Sequence, residues 1–231
     1  MYILLTDHLR CPRCGPEHGL VLLGERIEAR RVLEGVLGCP NCRERYPVRG
    51  GWADLRGPVA RSTGAEGREA AAVPASHQPA GVEVGPRAGA GRGVGADLQE
   101  SVLRLAAQLG VREGPAFVLV SGVAIELAAG VAGLVPGLEV VTVGAGLEGL
   151  GEVPGVSRLA VGAGLPLAAG SMRAVALAGD GAIALEEAAR VVGPFGRLVL
   201  RDADPTALER LARLGFQVLA QDGAEVVAVR R

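Results

Sequence analysis

The chain has no lysine, and all 24 of its basic residues are arginine. A phosphate-binding loop of the Gly-x-x-x-x-Gly-Lys type is therefore excluded. Histidine is nearly absent: beyond His8 and His18 there is only His77, and no Ser/His/Asp or Cys/His constellation can be assembled. Cysteine does not occur after residue 42. A formal net charge of −1 removes any global attraction to nucleic acid or to an anionic membrane. Nine arginines against seven acids make residues 1–56 mildly basic (+2), and four against three leave 57–93 at +1. Eleven against fifteen make 94–231 acidic (−4), so nucleic acid is not an expected partner. The beginning of the chain lacks the basic start, apolar stretch and cleavage site of a secretory signal, which leads to the expectation of a cytoplasmic protein with reduced thiols. The one nearly continuous apolar stretch, 117–138, carries Glu126 near its centre and Pro136, and reads as a buried strand and helix, not as a membrane span.

Three regions separate by composition. Residues 1–56 hold the four cysteines, the only Trp (Trp52) and both tyrosines. Residues 57–94 are rich in Gly, Ala, Pro and Arg without apolar periodicity and read as a flexible linker. Its reach, on the order of 35 Å, lets the first region dock on the third or on another chain. Residues 95–231 alternate Val- and Leu-rich runs with amphipathic segments. Strands are expected near 117–120, 139–143, 158–161, 173–178, 197–201, 216–220 and 225–229. Helices are expected from an Asp97 N-cap to Gly110, after the first strand to Ala132, over 182–192 with Asp180 as N-cap, and over 205–214 with Pro205 in its first turn. Alternation of strand and helix implies an α/β fold with a doubly wound, mostly parallel sheet, closed by an antiparallel hairpin turning at Asp222-Gly223.

Cys11-Pro-Arg-Cys14 and Cys39-Pro-Asn-Cys42 are two Cys-Pro-x-Cys knuckles separated by 24 residues. Each turns backbone amides toward its thiolates, and together they supply the four sulfurs of a tetrahedral structural zinc site. Two disulfides and a rubredoxin-like iron centre are the rival readings. A module this small cannot be held by apolar burial alone, whereas structural zinc contributes about 10 to 16 kcal/mol in peptide systems. His8 and His18 flank the first knuckle and read as surface residues. Arg10, Arg13, Arg43 and Arg45 are placed to offset the charge of four thiolates.

Leu9-Arg-Cys-Pro-Arg-Cys14, Gly38-Cys39-Pro-Asn-Cys42, Tyr46-Pro47-Val48, Gly50-Gly51 and Ala53-Asp54-Leu55 together resemble the small zinc-ribbon family that includes the tRNA methyltransferase activator subunit. The resemblance covers residues 1–56 and implies partnership with a methyltransferase, in this chain or another. The third region is similar to class I methyltransferases through Leu165-Pro166-Leu167, Gly170 to Val175, and Glu187 to Leu198. That resemblance implies a Rossmann-like sheet with S-adenosylmethionine at the carboxyl ends of its strands.

Against the resemblance, three recognition points differ. The first loop reads Val120-Ser-Gly122-Val-Ala-Ile-Glu126, with one glycine of three and no leading acid. The second strand ends in Val143-Gly144-Ala145-Gly146 without the carboxylate that grips the ribose, and Gly162-Ala163-Gly164 lacks the acid beside the adenine. Hydrogen bonds to charged groups are worth about 1.5 to 3 kcal/mol each, so three losses predict a vestigial pocket near Gly122, Gly144 and Ala163 without useful affinity for S-adenosylmethionine. The reading is of a non-catalytic protein acting through protein contacts. The alternative is an active S-adenosylmethionine-dependent methyltransferase on a small molecule or RNA, with Glu126 or Glu148 substituting. A third is an RNA-binding ribbon on an inert scaffold.

Overall fold

A computed structural model describes residues 1–56 and 93–231 apart from 124, 145, 146, 148, 149, 163 and 180–182. Ala163, Glu148, Asp180, His77 and residues 57–92 of the linker expected over 57–94 thus lie outside the described residues, while 93 and 94 belong to a helix. A 3-10 helix, Ile3–His8, opens the chain. It is followed by β1 (Arg10–Cys11), β2 (Gly15–Gly19), β3 (Val21–Glu28), β4 (Arg31–Gly38), β5 (Arg45–Arg49) and β6 (Trp52–Leu55). Then come α1 (Gly93–Leu109), β7 (Ala116–Ser121), α2 (Ile125–Leu134), β8 (Leu138–Val143), β9 (Val156–Val161) and β10 (Met172–Leu177). α3 (Leu185–Val191), β11 (Val192–Leu200), α4 (Ala207–Arg213), β12 (Phe216–Asp222) and β13 (Glu225–Arg230) complete it.

Among the described residues eleven strands form one sheet, in the order β12-β13-β11-β10-β7-β8-β9-β6-β5-β4-β3. β7 to β11 run parallel, and β13 is reversed between β11 and β12. The alternating and doubly buried Val/Leu runs expected as strands are the strands of this sheet. The sheet does not stop at β9: β6 pairs with it in parallel, Trp52 opposite Arg158 and Leu55 opposite Val161. β3 to β6 are a meander that extends the parallel half by four strands.

The two faces are covered differently. Val118, Val120, Val140, Ala174, Ala176 and Val199 pack under α1 and α2 through Val102, Leu105, Leu109, Leu127 and Val131. On the other face Leu119, Val141, Val143, Leu159 and Val175 meet α3 and α4, and also Met1, Leu5 and Leu9. The opening segment of the chain thus forms part of the layer over the parallel strands. Three backbone contacts fix it there: His8 O accepts from Ala168 N at 2.8 Å, Pro166 O accepts from Arg10 N at 2.9 Å, and Leu9 bridges Leu167. Fully burying a Leu or Met side chain stabilises by about 1.5 to 3 kcal/mol, so Met1, Leu5 and Leu9 are a substantial fraction of net stability.

Helix starts differ from expectation. α1 begins at Gly93, so Asp97 is exposed inside it and caps nothing. The N-cap of α3 is Ala184 and that of α4 is Thr206, neither with a side-chain cap bond, which removes Asp180 and Pro205 from the roles assigned to them. Short helices packed on a sheet are held by their buried face, and the usual capping residues are then dispensable. No helix among the described residues is long and apolar enough to cross a membrane.

Candidate metal centre and the cofactor end of the sheet

The first knuckle follows β1 and the second follows β4. Arg43 N donates to Cys39 O and Cys39 N to Glu44 O, both at 2.9 Å, which closes the second turn and holds Arg43 in a left-handed conformation. The Sγ atoms of Cys11, Cys14, Cys39 and Cys42 all lie within 4.8 Å of one another, with Cys11 to Cys42 at 3.7 Å and Cys14 to Cys39 at 3.8 Å. A disulfide needs about 2.05 Å. Sulfurs about 2.3 Å from a tetrahedral metal ion lie about 3.8 Å apart, so the donor set and its spacing fit a tetrathiolate centre. All four cysteines are free.

Hydrogen-bond donors surround the sulfurs. The buried Tyr46 hydroxyl is 3.5 Å from Cys11 Sγ, and Asn41 Nδ2 donates to Cys14 Sγ at 3.4 Å. This explains why tyrosine precedes Pro47 and Val48: β5 turns Tyr46 and Val48 inward and leaves Arg45 and Arg49 exposed. Burial opposes ionisation of Cys11, but the Tyr46 hydroxyl and the amides of Cys14 and Arg13 outweigh it and bring the thiol down to about 7. At Cys42 the amide of Glu44 favours the thiolate, yet burial and the three neighbouring thiols push it up to about 12. Close-set thiolates repel one another, and a cation held among them removes that repulsion. Two of the four flanking arginines have protein partners. Arg13 pairs with Glu44 at 3.2 Å and Arg10 donates to the carbonyls of Asp7 and Leu9. His8 packs edge-on against Phe117, ring centroids 5.1 Å apart, and is part of the seam with β7, not a free surface residue.

A polar network that sequence reasoning missed joins the cysteine-bearing part to the parallel strands. Arg31, at the start of β4, reaches both Glu139 and Glu152 and donates to Val156 O. Glu139 also accepts from Ser157 Oγ at 2.6 Å, and Ser157 Oγ accepts from Tyr2 N at 2.8 Å. The amino group of Met1 donates to Gly51 O at 2.7 Å and lies 3.7 Å from Glu152; burial, then Arg31, holds its pKa well below that of an ordinary amino terminus. Arg158 is fully buried and spans the seam, donating to Gly50 O at 2.6 Å on one side and to Leu147 O and Leu150 O on the other.

Two of the three stretches that carry the methyltransferase resemblance meet in one clamp, Leu165-Pro166-Leu167 against Glu187 and Arg190 at the start of Glu187 to Leu198. Arg190 donates to Leu165 O and Leu167 O at 2.7 Å, and Glu187 accepts from Leu165 N at 3.0 Å and from Arg190. The clamped loop is the one that binds His8 and Arg10. The Arg190 guanidinium holds the Glu187 carboxyl below the usual glutamate range, against burial and with help from the Leu165 amide. A depressed carboxylate stabilises the fold above its unfolded value, and that contribution is lost as pH falls through the folded value. Urea midpoints should therefore fall between pH 7 and pH 3.5. Glu187→Gln should be less stable than the parent at pH 7 and lose less of its midpoint on acidification.

At the carboxyl ends of the strands, Val120 is buried and Ser121 nearly so. Gly122 has φ +73°, and a Cβ there would sit 1.8 Å from Ala178 O. The loop after β7 therefore lies directly against the loop after β10, and close packing alone accounts for this glycine. Gly144 has open space around it, and β8 and β9 are joined by residues 144–155 without a helix among those described. Of the carboxylates nearby, Asp202 accepts from Gly179 N at 2.8 Å, and Glu126 is exposed in the first turn of α2.

Within β7 to β13 the order β9-β8-β7-β10-β11-β13-β12, with β13 alone reversed, is that of the Rossmann-like methyltransferase fold. No protein-family model matches the chain, and neither does any curated protein. Among solved structures it is similar to a precorrin-6y C5,15-methyltransferase from Geobacter metallireducens (16% identity over 56% of this chain and 86% of that one, TM-score 0.41). It is similar as well to a putative S-adenosyl-L-methionine-dependent methyltransferase from Methanococcus maripaludis (8%, 59% and 86%, 0.41). A third is a complex between the Haloferax volcanii Trm112 methyltransferase activator and the putative methyltransferase (19%, 55% and 73%, 0.39).

Proposed function

We propose that this protein is a methyltransferase-fold protein that has given up the cofactor and works through protein contacts, with residues 1–56 as an activator-like zinc ribbon. In this reading 57–94 is a linker and 95–231 the methyltransferase-like part. Cys11, Cys14, Cys39 and Cys42 hold one structural zinc ion, and the space near Gly122, Gly144 and Ala163 is vestigial. The observation that carries the reading is the apolar character of the ligand end of the sheet: Val120 and Val143 are buried there, where the fold's ligand end would need polar groups. Support for the ribbon's role comes from β6, which continues the sheet at β9, and from Arg31 and Arg158, which tie the two parts together. A ribbon so engaged is not free to bind a separate methyltransferase through the same strand.

Isothermal titration of the purified chain with S-adenosylmethionine and S-adenosylhomocysteine should give no heat of binding up to millimolar ligand. Saturable micromolar binding of either would sink the proposal.

A further inference from the structure

At the end of the sheet opposite the cofactor loops, three arginines distant in sequence come together. Arg112, Arg173 and Arg197 line an open cavity of about 840 Å³ with Ala106, Ala107, Gly110, Val111 and a single acid, Glu113. Arg197 is committed to the end of α1, donating to Ala107 O and Gln108 O at 3.0 and 3.1 Å. Arg173 makes one long bond, 3.4 Å to Pro194 O, and Arg112 has no hydrogen bond or ion pair among the described residues. Both are exposed.

Opposite Arg173 in the ladder, the chain carries an aromatic residue in an unusual backbone conformation. In the ladder between β10 and β11, Met172 pairs with Val192 and Ala174 with Arg197, so residues 193–196 bulge out against Arg173 alone. The base of the bulge is tight: a Cβ on Gly196 would lie 2.7 to 2.9 Å from Val192, Gly193 and Arg173 atoms. At its tip Phe195 has φ +57° and is 73% exposed. Bulky residues avoid that conformation and glycine adopts it freely, while an exposed phenyl ring gains nothing from burial. A residue kept at a cost to the fold invites a functional explanation.

We propose that this end of the sheet binds single-stranded nucleic acid, with a base stacking on Phe195 and neighbouring phosphates held by Arg112 and Arg173. Exposed guanidiniums supply the phosphate contacts and an exposed ring the sequence-tolerant platform, the two elements such surfaces combine. The cavity is of a size for nucleotide-scale ligands. The overall acidity of residues 94–231 does not oppose this, because field and contact depend on local charge, three arginines to one glutamate here. The proposal is independent of whether the cofactor end is active.

The test is fluorescence anisotropy of a labelled single-stranded oligouridylate with the full chain across a salt titration. Affinity should fall as salt rises, and Arg112→Ala and Arg173→Ala should each flatten the log–log slope by about 0.7. Phe195→Gly should weaken binding at least about fivefold while raising the melting temperature by about 2 to 4 °C, since it removes the strained ring. Phe195→Trp should retain binding. Gain of stability with loss of binding is a combination that misfolding does not produce. Absence of salt-dependent binding, unchanged affinity in Phe195→Gly, free uridine monophosphate binding as tightly as the strand, or phosphatidylserine vesicles bound while the oligonucleotide is not, would each overturn it.

Discussion

Replacing Arg31 by methionine should destabilise the whole protein by about 3 to 5 kcal/mol, far more than a surface arginine would. Arg31 reaches across the seam to Glu139 and Glu152 and to the carbonyl of Val156, and Glu139 is itself buried in β8. Methionine keeps most of the apolar stem but leaves the Glu139 carboxylate, among the described residues, with the Ser157 hydroxyl at 2.6 Å as its one hydrogen-bond donor. An uncompensated buried charge is the costly outcome, and the loss is a large part of a typical net stability of about 5 to 15 kcal/mol. Glu139→Leu alone should also destabilise, since it strands part of the guanidinium. The double variant should recover most of the loss, because a buried ion pair exchanged for packed apolar groups is often near neutral. The double-mutant cycle, read from urea midpoints, should give a coupling energy above about 1 kcal/mol. Additive single effects would show that the pair does not hold the seam. A transition that splits in two, the parallel strands melting apart from the cysteine-bearing part, would show that the seam is not cooperative at all.

Period and composition were enough to read the strands, because a parallel sheet buried on both faces leaves uninterrupted Val/Leu runs such as 138–143 and 172–177. The cysteine cluster was equally legible, since each knuckle is a local turn and only their mutual approach needs the fold. What escaped notice is non-local. Glu139 lies 108 residues from Arg31, and Arg158 bonds a carbonyl at Gly50; no spacing rule links such positions. Uniform use of arginine in place of lysine also hid which arginines mattered, so the buried Arg158 and the surface Arg112 looked alike. The opening segment was read as part of a ribbon, whereas Leu5 and Leu9 complete the core over Leu119, Val141 and Leu159. At the helix starts, propensity points to Asp97 and Asp180, whereas α1 already runs from Gly93 and the N-cap of α3 is Ala184. Phe195 could have been suspected from Pro194-Phe195-Gly196 between two apolar runs, but its left-handed backbone needs the register of β10 and β11.

With Cys11, Cys14, Cys39 and Cys42 holding zinc as proposed, loss of the metal should be felt well beyond them. The purified chain should carry one zinc per molecule by elemental analysis, four thiols reactive toward a thiol reagent only after denaturation, and no visible absorption of an iron centre. Cys39→Ser, at a buried cysteine of the cluster, should lower the melting temperature by more than about 10 °C, and so should exhaustive chelation. The reasoning starts from size: six short strands and one 3-10 helix bury too little to order themselves, and in peptide systems structural zinc supplies about 10 to 16 kcal/mol. It continues through connectivity. β1 and β4 carry or precede the knuckles; β4 pairs with β5, β5 with β6, and β6 with β9. Unfolding the metal centre therefore uncovers the edge of β9, breaks the Arg31 and Arg158 contacts, and exposes Leu119, Val141 and Leu159 beneath Met1, Leu5 and Leu9. Tyr46→Phe, which removes only the hydroxyl 3.5 Å from Cys11, should by contrast cost about 1 kcal/mol and leave the metal bound. Hydrogen exchange would separate the two behaviours: metal removal should collapse protection in β8 and β9 as well as in β4 and β5. If β8 and β9 keep their protection after the metal is gone, the sheet is held from the β7 side alone, and the cysteine-bearing part is an appendage to it.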